Sequence, residues 1–456
     1  MSQGHMIPMF DIAALLALRG ASVTFITTPL NAARLRPALS PHHPISLVAL
    51  PFPSADFGLP VCCESFDALP SPDLMRAFFE ASKTLLAPSI RYLRRHPTPP
   101  SCVIADVFFP WAREIAREFG VPRLTFSGFN CFSTLCIRNL RAHGVLERVG
   151  SETERFVVPG MPHEVALVKA QLPAEAEARF VDLRAEMRDA EEMADGVVLN
   201  SFEELEREYL NVYRETTGKE AWAIGPVSLS NNPSNTINRG GKASTDELQC
   251  LDWLDQREPK SVVYVSFGSM GRLSPPQTAE LARALEASGR NFMWVIKGGD
   301  GLPEEFKEEP VTERRMVVRG WAPQVAILSH GAVGGFVTHC GWNSALEGVC
   351  AGVPMVAWPL FGEQFLNEKL VVDVLRVGVR VGVERPGGLV EGEAIEKTLE
   401  EVMEGGEEGV LRRMRARALG EMARMAVEVE GSSYVNITRL IEYVLKHKSN
   451  RDLRLV

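Results

Sequence analysis

The chain has 456 residues, of which 45% are hydrophobic and 23% charged, and its net charge is -9. That length is too great for one compact core and suits two domains of ordinary globular composition. The acidic balance, with no basic tract, argues against a nucleic-acid partner, and no apolar run reaches the roughly 18 residues that would cross a bilayer. The eight cysteines (Cys62, Cys63, Cys102, Cys131, Cys136, Cys250, Cys340, Cys350) show no CxxC spacing. Most sit in apolar runs, so neither a disulfide framework nor a metal site is expected. The N-terminus lacks the basic start and apolar core of a signal peptide, and the expected compartment is the cytoplasm.

In chain order, residues 8–18 read as a helix with Ile12, Leu15 and Leu16 on one face and Gly20 as its stop. Residues 21–28 are β-branched and read as a strand, and 45–50 as a second. Residues 101–107 form a third, followed by a helix over 111–119; 121–126, 197–200 and 222–224 are later strands. Such alternation implies a mostly parallel sheet covered on both faces. Residues 228–245 turn polar and rich in Gly, Asn and Ser, the composition of a linker or mobile loop. The pattern then restarts, with strands expected at 261–265, 292–296, 315–319, 335–339, 354–358 and 379–383. Helices are expected at 277–287, 392–403, 409–429 and 433–446. Arg412, Arg413, Arg415 and Arg417 read as a solvated helix face, and the Asn436-Ile437-Thr438 sequon as a chance match. The expected fold class is α/β, two Rossmann-like domains facing each other across a cleft, with ligands outside the C-terminal ends of the strands. The expected divisions are 1–227, a linker over 228–258, 259–430, and a C-terminal helix over 431–456 packing back on the first domain.

The richest segment is 321–364, WAPQVAILSHGAVGGFVTHCGWNSALEGVCAGVPMVAWPLFGEQ. A strand ending at His339 runs through Cys340-Gly341 into a helix that starts at Trp342. The free N–H groups and positive dipole end of such a helix suit a diphosphate, and Gly341 permits close backbone approach. His339, Asn343 and Ser344 add side-chain donors, although Asn343 could equally be a simple helix cap. Glu347 shares a helix face with Asn343 and can accept two ribose hydroxyls. Trp321, opening a turn with Ala322, offers a flat face for a base, and Gln324 lies within reach of it or of the ribose. Glu363 and Gln364 offer an acceptor and an amide for sugar hydroxyls.

All 44 positions of this segment resemble the signature box of plant family-1 UDP-dependent glycosyltransferases. Ser266-Phe267-Gly268-Ser269 resembles another loop of that family, and GHMIPMFDIAALLALRG, IADVFFPWA and GEQFLNEKLV resemble its flavonoid, triterpenoid and steroid subgroup. The resemblance implies a GT-B fold. It implies that Trp321 and Ala322 hold uracil, that Gln324 and Glu347 bind ribose, and that His339, Asn343, Ser344 and Ser269 hold the phosphates. Trp342, Glu363 and Gln364 then meet the sugar, with Gln364 associated with glucose.

His5 follows Gly4 just before the first expected helix, and Asp106 ends the strand SCVIAD. A histidine near neutral pKa can take a proton from a hydroxyl, and a carboxylate on its other nitrogen fixes the tautomer. The residues alone leave open an idle exposed histidine and a helix-capping aspartate. The resemblance implies that His5 is the general base and Asp106 its orienting partner, giving inverting transfer of glucose from UDP-glucose to a small lipophilic hydroxyl compound. UDP-glucose is then a co-substrate, no metal or other cofactor is needed, and a monomer is expected. Residues 52–93, rich in Phe, Leu and Pro, with Ser127, Phe129 and Phe132, are expected to line the acceptor pocket.

Relatives with this pattern carry an apolar strand before the Gly-His, and only Met1, Ser2 and Gln3 stand there. Losing a central strand would expose two ladder edges and leave His5 on an unanchored tail. The favoured expectation is that Met1 is an internal methionine of a longer protein, the others being a defective chain or a different segment filling the gap. The competing functional reading is a UDP-sugar-binding protein without turnover. A UDP-sugar epimerase would need further carboxylates in the donor groove, and a dinucleotide-dependent dehydrogenase would need a G-x-G-x-x-G after a strand.

Overall fold

The computed structural model describes residues 2–39, 45–172, 180–229, 247–297 and 301–454. In the first half, β1 (Val23–Thr27) and β2 (Ile45–Ala49) form a parallel pair. β3 (Val103–Asp106) and β4 (Arg123–Ser127) begin a second sheet, and β5 (Arg155–Val157) and β6 (Ala166–Val168) make a small antiparallel hairpin. β7 (Gly196–Leu199) and β8 (Glu220–Ala223) complete the sheet in the order β3-β4-β7-β8, parallel throughout. Among the described residues nothing pairs with the second edge of β1 or of β3, so the two sheets stand apart.

The second half contains one parallel sheet of β9 (Val262–Ser266), β10 (Asn291–Ile296), β11 (Arg315–Arg319), β12 (Val333–Thr338), β13 (Met355–Ala357) and β14 (Gly378–Arg380). Its order is β11-β10-β9-β12-β13-β14. Strands β9 and β12 are buried along their whole length, which is why they read as unbroken apolar runs. The chain leaves β9 toward β10 on one side and crosses to β12 on the other, so a crevice opens beyond the C-terminal ends of β9 and β12. This is the GT-B arrangement of two α/β halves.

Four expectations are corrected. The first helix is Gln3–Leu18, not 8–18, so Gly4 and His5 lie in its first turn and Pro8 lies inside it. His5 is not on a loose tail: its backbone N–H bonds to Ser2 O at 3.1 Å. Part of the expected linker, Glu247–Asp255, is helical, because Trp253 and Leu254 are core residues and the Trp253 indole donates to Thr312 O at 3.0 Å; residues 230–246 lie outside the described residues. Arg412 does not belong to a solvated face: it is buried and donates to the Glu401 carbonyl at 2.9 Å and carboxylate at 3.0 Å.

The Ser432–Arg454 helix lies against the first half. Ile437 and Leu440 share a core cluster with Ile12, Leu124 and Trp222. Asn436 is buried, with its amide donating to Ala223 O at 3.0 Å and to Glu203 at 3.2 Å. All eight cysteines are free thiols, and no helix among the described residues is long and apolar enough to cross a membrane.

Candidate active site

One cavity of about 940 Å³ runs between the halves and is lined by His5, Asp106, Ser269, Trp321, Gln324, His339 and Glu363 among others. Asp106 ends β3 and is fully buried. Its Oδ2 lies 2.7 Å from His5 Nδ1, and its Oδ1 accepts the Phe108 N–H at 2.9 Å. The carboxylate is therefore held by the turn that follows its strand and fixes the imidazole tautomer with the proton on Nδ1. Phe108, Phe126 and Phe129 surround the ring, at centroid distances of 5.1, 6.2 and 5.9 Å. Gly128 leaves room for the other nitrogen: a Cβ there would stand 2.4 Å from His5 Nε2. Burial pushes the His5 pKa down, but the charge and hydrogen bond of Asp106, with Glu363 beyond, outweigh it and hold the pKa above its ordinary value.

Across the crevice, the loop after β9 meets the turn after β12. Gly268 and Gly341 pack on the two sides of His339, where an added Cβ would come within 2.5 and 2.4 Å of the ring respectively. The Trp342–Ala351 helix starts directly after this turn, with Gly341 as its N-cap, and Cys340 takes the left-handed conformation at φ 62° that brings the chain round. Burial, with Lys297 adding to it, lowers the His339 pKa to about 4, so the ring is neutral. Its buried Nδ1 has no protein partner among the described residues.

Gln324 Nε2 donates to Glu347 Oε2 at 2.8 Å and Ser344 Oγ at 3.0 Å, while its Oε1 accepts from Tyr264 at 3.3 Å. Trp321 is half-buried at the cavity wall, and Ala322 is buried beside it. Gln364 Oε1 accepts the N–H groups of Leu360 and Phe361 at 2.8 and 3.1 Å, which ties the loop after β13 to the helix carrying it. Burial pushes the Glu363 carboxyl above the ordinary carboxylate range, although its own backbone N–H and His5 oppose this.

Two residues of the box turn their polar atoms toward the first half. The Trp342 indole donates to Asn200 O at 2.7 Å. Asn343 accepts from Asn200 Nδ2 at 3.3 Å and donates to Gly4 O; it is not the helix cap.

Ser127 and Phe129 line the cavity as expected of an acceptor wall, together with Phe66, Phe78 and Phe79 from the Phe-rich segment. Phe132 does not: it is fully buried and stacks edge-on against Tyr209 at 5.0 Å. Asn130 caps the Cys131–Ala142 helix, and Glu206 Oε1 accepts the Phe132 N–H at 2.8 Å, which turns Phe132 into the core.

Sequence reasoning missed Lys297 and Asn367. Lys297 follows β10 at its C-terminal end and donates to Ser269 O at 2.5 Å, so it braces the loop after β9. Its position beyond a parallel strand was the available signal. Asn367 is fully buried; its Oδ1 accepts from Asn130 Nδ2 at 2.8 Å and Ser133 Oγ at 2.9 Å, and its Nδ2 donates to Cys340 O at 2.8 Å. No local pattern announces such a bridge.

Comparison with known proteins agrees with this geometry. Residues 242–456 match the family described as UDP-glucoronosyl and UDP-glucosyl transferase. UDP-glycosyltransferase 73D1 of Arabidopsis thaliana is 44% identical, covering 98% of this chain and 96% of its own. UDP-glycosyltransferase 73E1 of Stevia rebaudiana is 44% identical over 97% of this chain and 94% of its own. Among solved structures, Glycyrrhiza uralensis UGT73P12, complexed with glycyrrhetinic acid 3-O-monoglucuronide, is 36% identical with a TM-score of 0.91, covering 100% of this chain and 96% of its own. Arabidopsis thaliana UGT89C1, complexed with UDP-L-rhamnose, is 32% identical with a TM-score of 0.78, covering 97% of both chains. With its two α/β halves, its crevice beyond β9 and β12 and this full-length similarity, the chain belongs to the plant family-1 UDP-glycosyltransferases, enzymes that transfer a sugar from a UDP-sugar to a small-molecule acceptor.

Proposed function

We propose that this glycosyltransferase moves glucose from UDP-glucose to a hydroxyl of a lipophilic small molecule such as a flavonoid, steroid or triterpenoid. Residues 1–227 take the acceptor and residues 259–430 the donor, with the segment 431–456 closing back on the first half. The observation that carries the reading is the 2.7 Å contact of His5 Nδ1 with buried Asp106, which leaves Nε2 as the base at the cavity wall.

The acceptor O–H gives its proton to His5 Nε2 as its oxygen attacks the anomeric carbon. The bond from that carbon to the β-phosphate oxygen breaks, and UDP leaves with the electron pair. Attack opposite an α-linked leaving group gives a β-glucoside. Asp106 stabilises the imidazolium that forms. The N-terminus of the Trp342–Ala351 helix, neutral His339, Asn343, Ser344 and Ser269 meet the charge on the leaving diphosphate. Trp321 and Ala322 hold the uracil, Gln324 and Glu347 the ribose, and Trp342, Glu363 and Gln364 the sugar.

The test is product formation, read by mass, from UDP-glucose, UDP-galactose and UDP-glucuronic acid against a panel of flavonols, steroids and triterpenes. A glucoside formed from UDP-glucose, and reduced at least about 100-fold in His5→Ala, is expected. The edges of β1 and β3, unpaired among the described residues, favour a second reading, a UDP-sugar-binding protein without turnover. A rise in melting temperature with UDP but no product from any pair would establish that reading and overturn the first.

A further inference from the structure

The Gly406–Val427 helix inverts the usual pattern of a surface helix, which turns its large apolar side chains inward. Here the buried side is lined by small residues, Ala416, Gly420, Ala423 and Ala426. They let the helix lie close on the Trp342–Ala351 helix: a Cβ on Gly420 would stand 3.1 Å from the Cys350 carbonyl oxygen. The large apolar residues face solvent instead. Leu411, Met414, Met422 and Met425 are 40 to 66% exposed, and Val429, just past the helix end, is 74% exposed. With exposed Ala418 they recur every three or four positions, so they form one stripe that runs about 21 Å from Leu411 to Met425.

Single exposed hydrophobics need no explanation, whereas a continuous stripe of them marks a contact surface. The order of residues along this one is nearly the same in both directions. About the point between Leu419 and Gly420, Leu411 mirrors Val429, Met414 mirrors Met425 and Ala418 mirrors Met422, each to within one residue. The charges beside the stripe follow the same symmetry. Arg417 and Glu421 mirror each other across that point and lie on one flank. They pair with each other at 3.1 Å, but with side chains 81 and 53% exposed that pair is worth little and is free to exchange partners. Arg424 is held elsewhere, donating to the Cys350 carbonyl at 3.3 Å.

We propose that this stripe is the contact face of a homodimer, in which a second copy of the chain lays the same helix against it, antiparallel, about a two-fold axis passing between Leu419 and Gly420. A self-complementary patch is what a two-fold contact requires. The axis sets Met414 of each copy against Met425 of the other, and Arg417 of each beside Glu421 of the other, because in an antiparallel pair the same flank of both helices comes together. Unbranched methionine side chains can interdigitate across such a seam. A lipid surface fits the stripe less well: Glu407, Glu408, Glu421 and Glu428 are exposed on this segment and the chain carries a net charge of -9, whereas helices that lie on membranes present a basic polar face. One helix face is a small interface, so the dimer is a weak one that replaces the expected monomer only at micromolar concentrations.

The experiment is sedimentation velocity on the full chain from about 1 to about 200 µM at low salt, with the melting temperature of every variant as a check on folding. The native chain is expected to pass from monomer to dimer over that range, and Met414→Glu/Met425→Glu to stay monomeric with an unchanged melting temperature. Arg417→Glu and Glu421→Arg are each expected to weaken the dimer by about tenfold, because each sets like charges opposite one another. An equimolar mixture of these two single variants is expected to regain the dimer. In the mixed pair the substituted positions face each other with opposite charge, while positions 417 and 421 within each chain still repel. Should the methionine variant not fold, this mixture decides alone. A native chain that remains monomeric at the highest concentration would overturn the proposal, as would a dimer that survives in Met414→Glu/Met425→Glu or a mixture that regains nothing. Cosedimentation of a monomeric native chain with phosphatidylcholine vesicles, lost in the methionine variant, would assign the stripe to lipid and overturn it too.

Discussion

Pro8 has no N–H to offer the carbonyl of Gly4 one helical turn before it, and that carbonyl instead accepts the Asn343 amide from the second half. A residue that would weaken an isolated helix thus frees an acceptor next to His5. The two histidines of the cavity, His5 and His339, are tuned in opposite directions. His5 has a folded pKa above the ordinary value of about 6.5, so activity that needs its neutral form should rise with pH through that higher value. Removing the Asp106 charge removes the largest upward influence on it. In Asp106→Asn the acid limb of the pH–kcat/KM profile should move to lower pH while the rate falls by about 100-fold or more, measured over pH 5–9. An unmoved limb would mean that His5 is not the titrating base. For stability, the raised His5 pKa contributes most below the unfolded value and is lost as pH rises through the folded one. His339 acts the other way. Its folded pKa of about 4 lies below the unfolded value, so folding loses stability as pH falls from about 6.5 toward 4, by up to about 3 kcal/mol. Urea unfolding at pH 7 and pH 4.5 should show a smaller acid loss in His339→Gln than in the native chain.

Among the elements, most strands were legible because each is a short β-branched run closed by turn residues. The starts of β1, β3 and β9 each fall within two residues of the expected positions. The helices Val181–Glu192 and Glu203–Thr217 were not read, the second being interrupted at Glu206, whose backbone leaves helical geometry at φ -131°. A buried carboxylate that caps another helix breaks the periodicity from which helices are recognised. The separate pairing of β1 with β2 has a measurable consequence. A two-stranded ladder is marginal by itself, whereas β9 and β12 lie inside a six-stranded sheet. Native-state hydrogen exchange should therefore release the amides of Val23–Thr27 and Ile45–Ala49 well before those of β9 and β12. Equal protection would show that the first pair is anchored as firmly as the central sheet.

For the whole molecule, the two halves meet through a small number of buried polar bridges as well as a shared apolar cluster that includes Phe132, Tyr209, Trp342 and Leu366. Asn367 links Asn130 and Ser133 to the Cys340 carbonyl in the turn after β12. Asn367→Ala would leave three buried groups unpaired and should lower unfolding stability by about 3 kcal/mol in urea titrations. It should also weaken UDP binding through the loosened turn, and a loss of under about 0.5 kcal/mol would show that water replaces the bridge. The sequence by itself determined the α/β class and carried the signature box of the family, because strand period, helix starts and motif spacing are short-range properties. The tertiary structure alone decided that Phe132 is core, that His5 sits inside a helix, and that Asn343 and Trp342 turn toward the first half. Those outcomes depend on partners as far away in the chain as the 142 positions between Asn200 and Trp342 and the 237 between Asn130 and Asn367. No local periodicity encodes a contact at that distance; only the packing of one half on the other selects it.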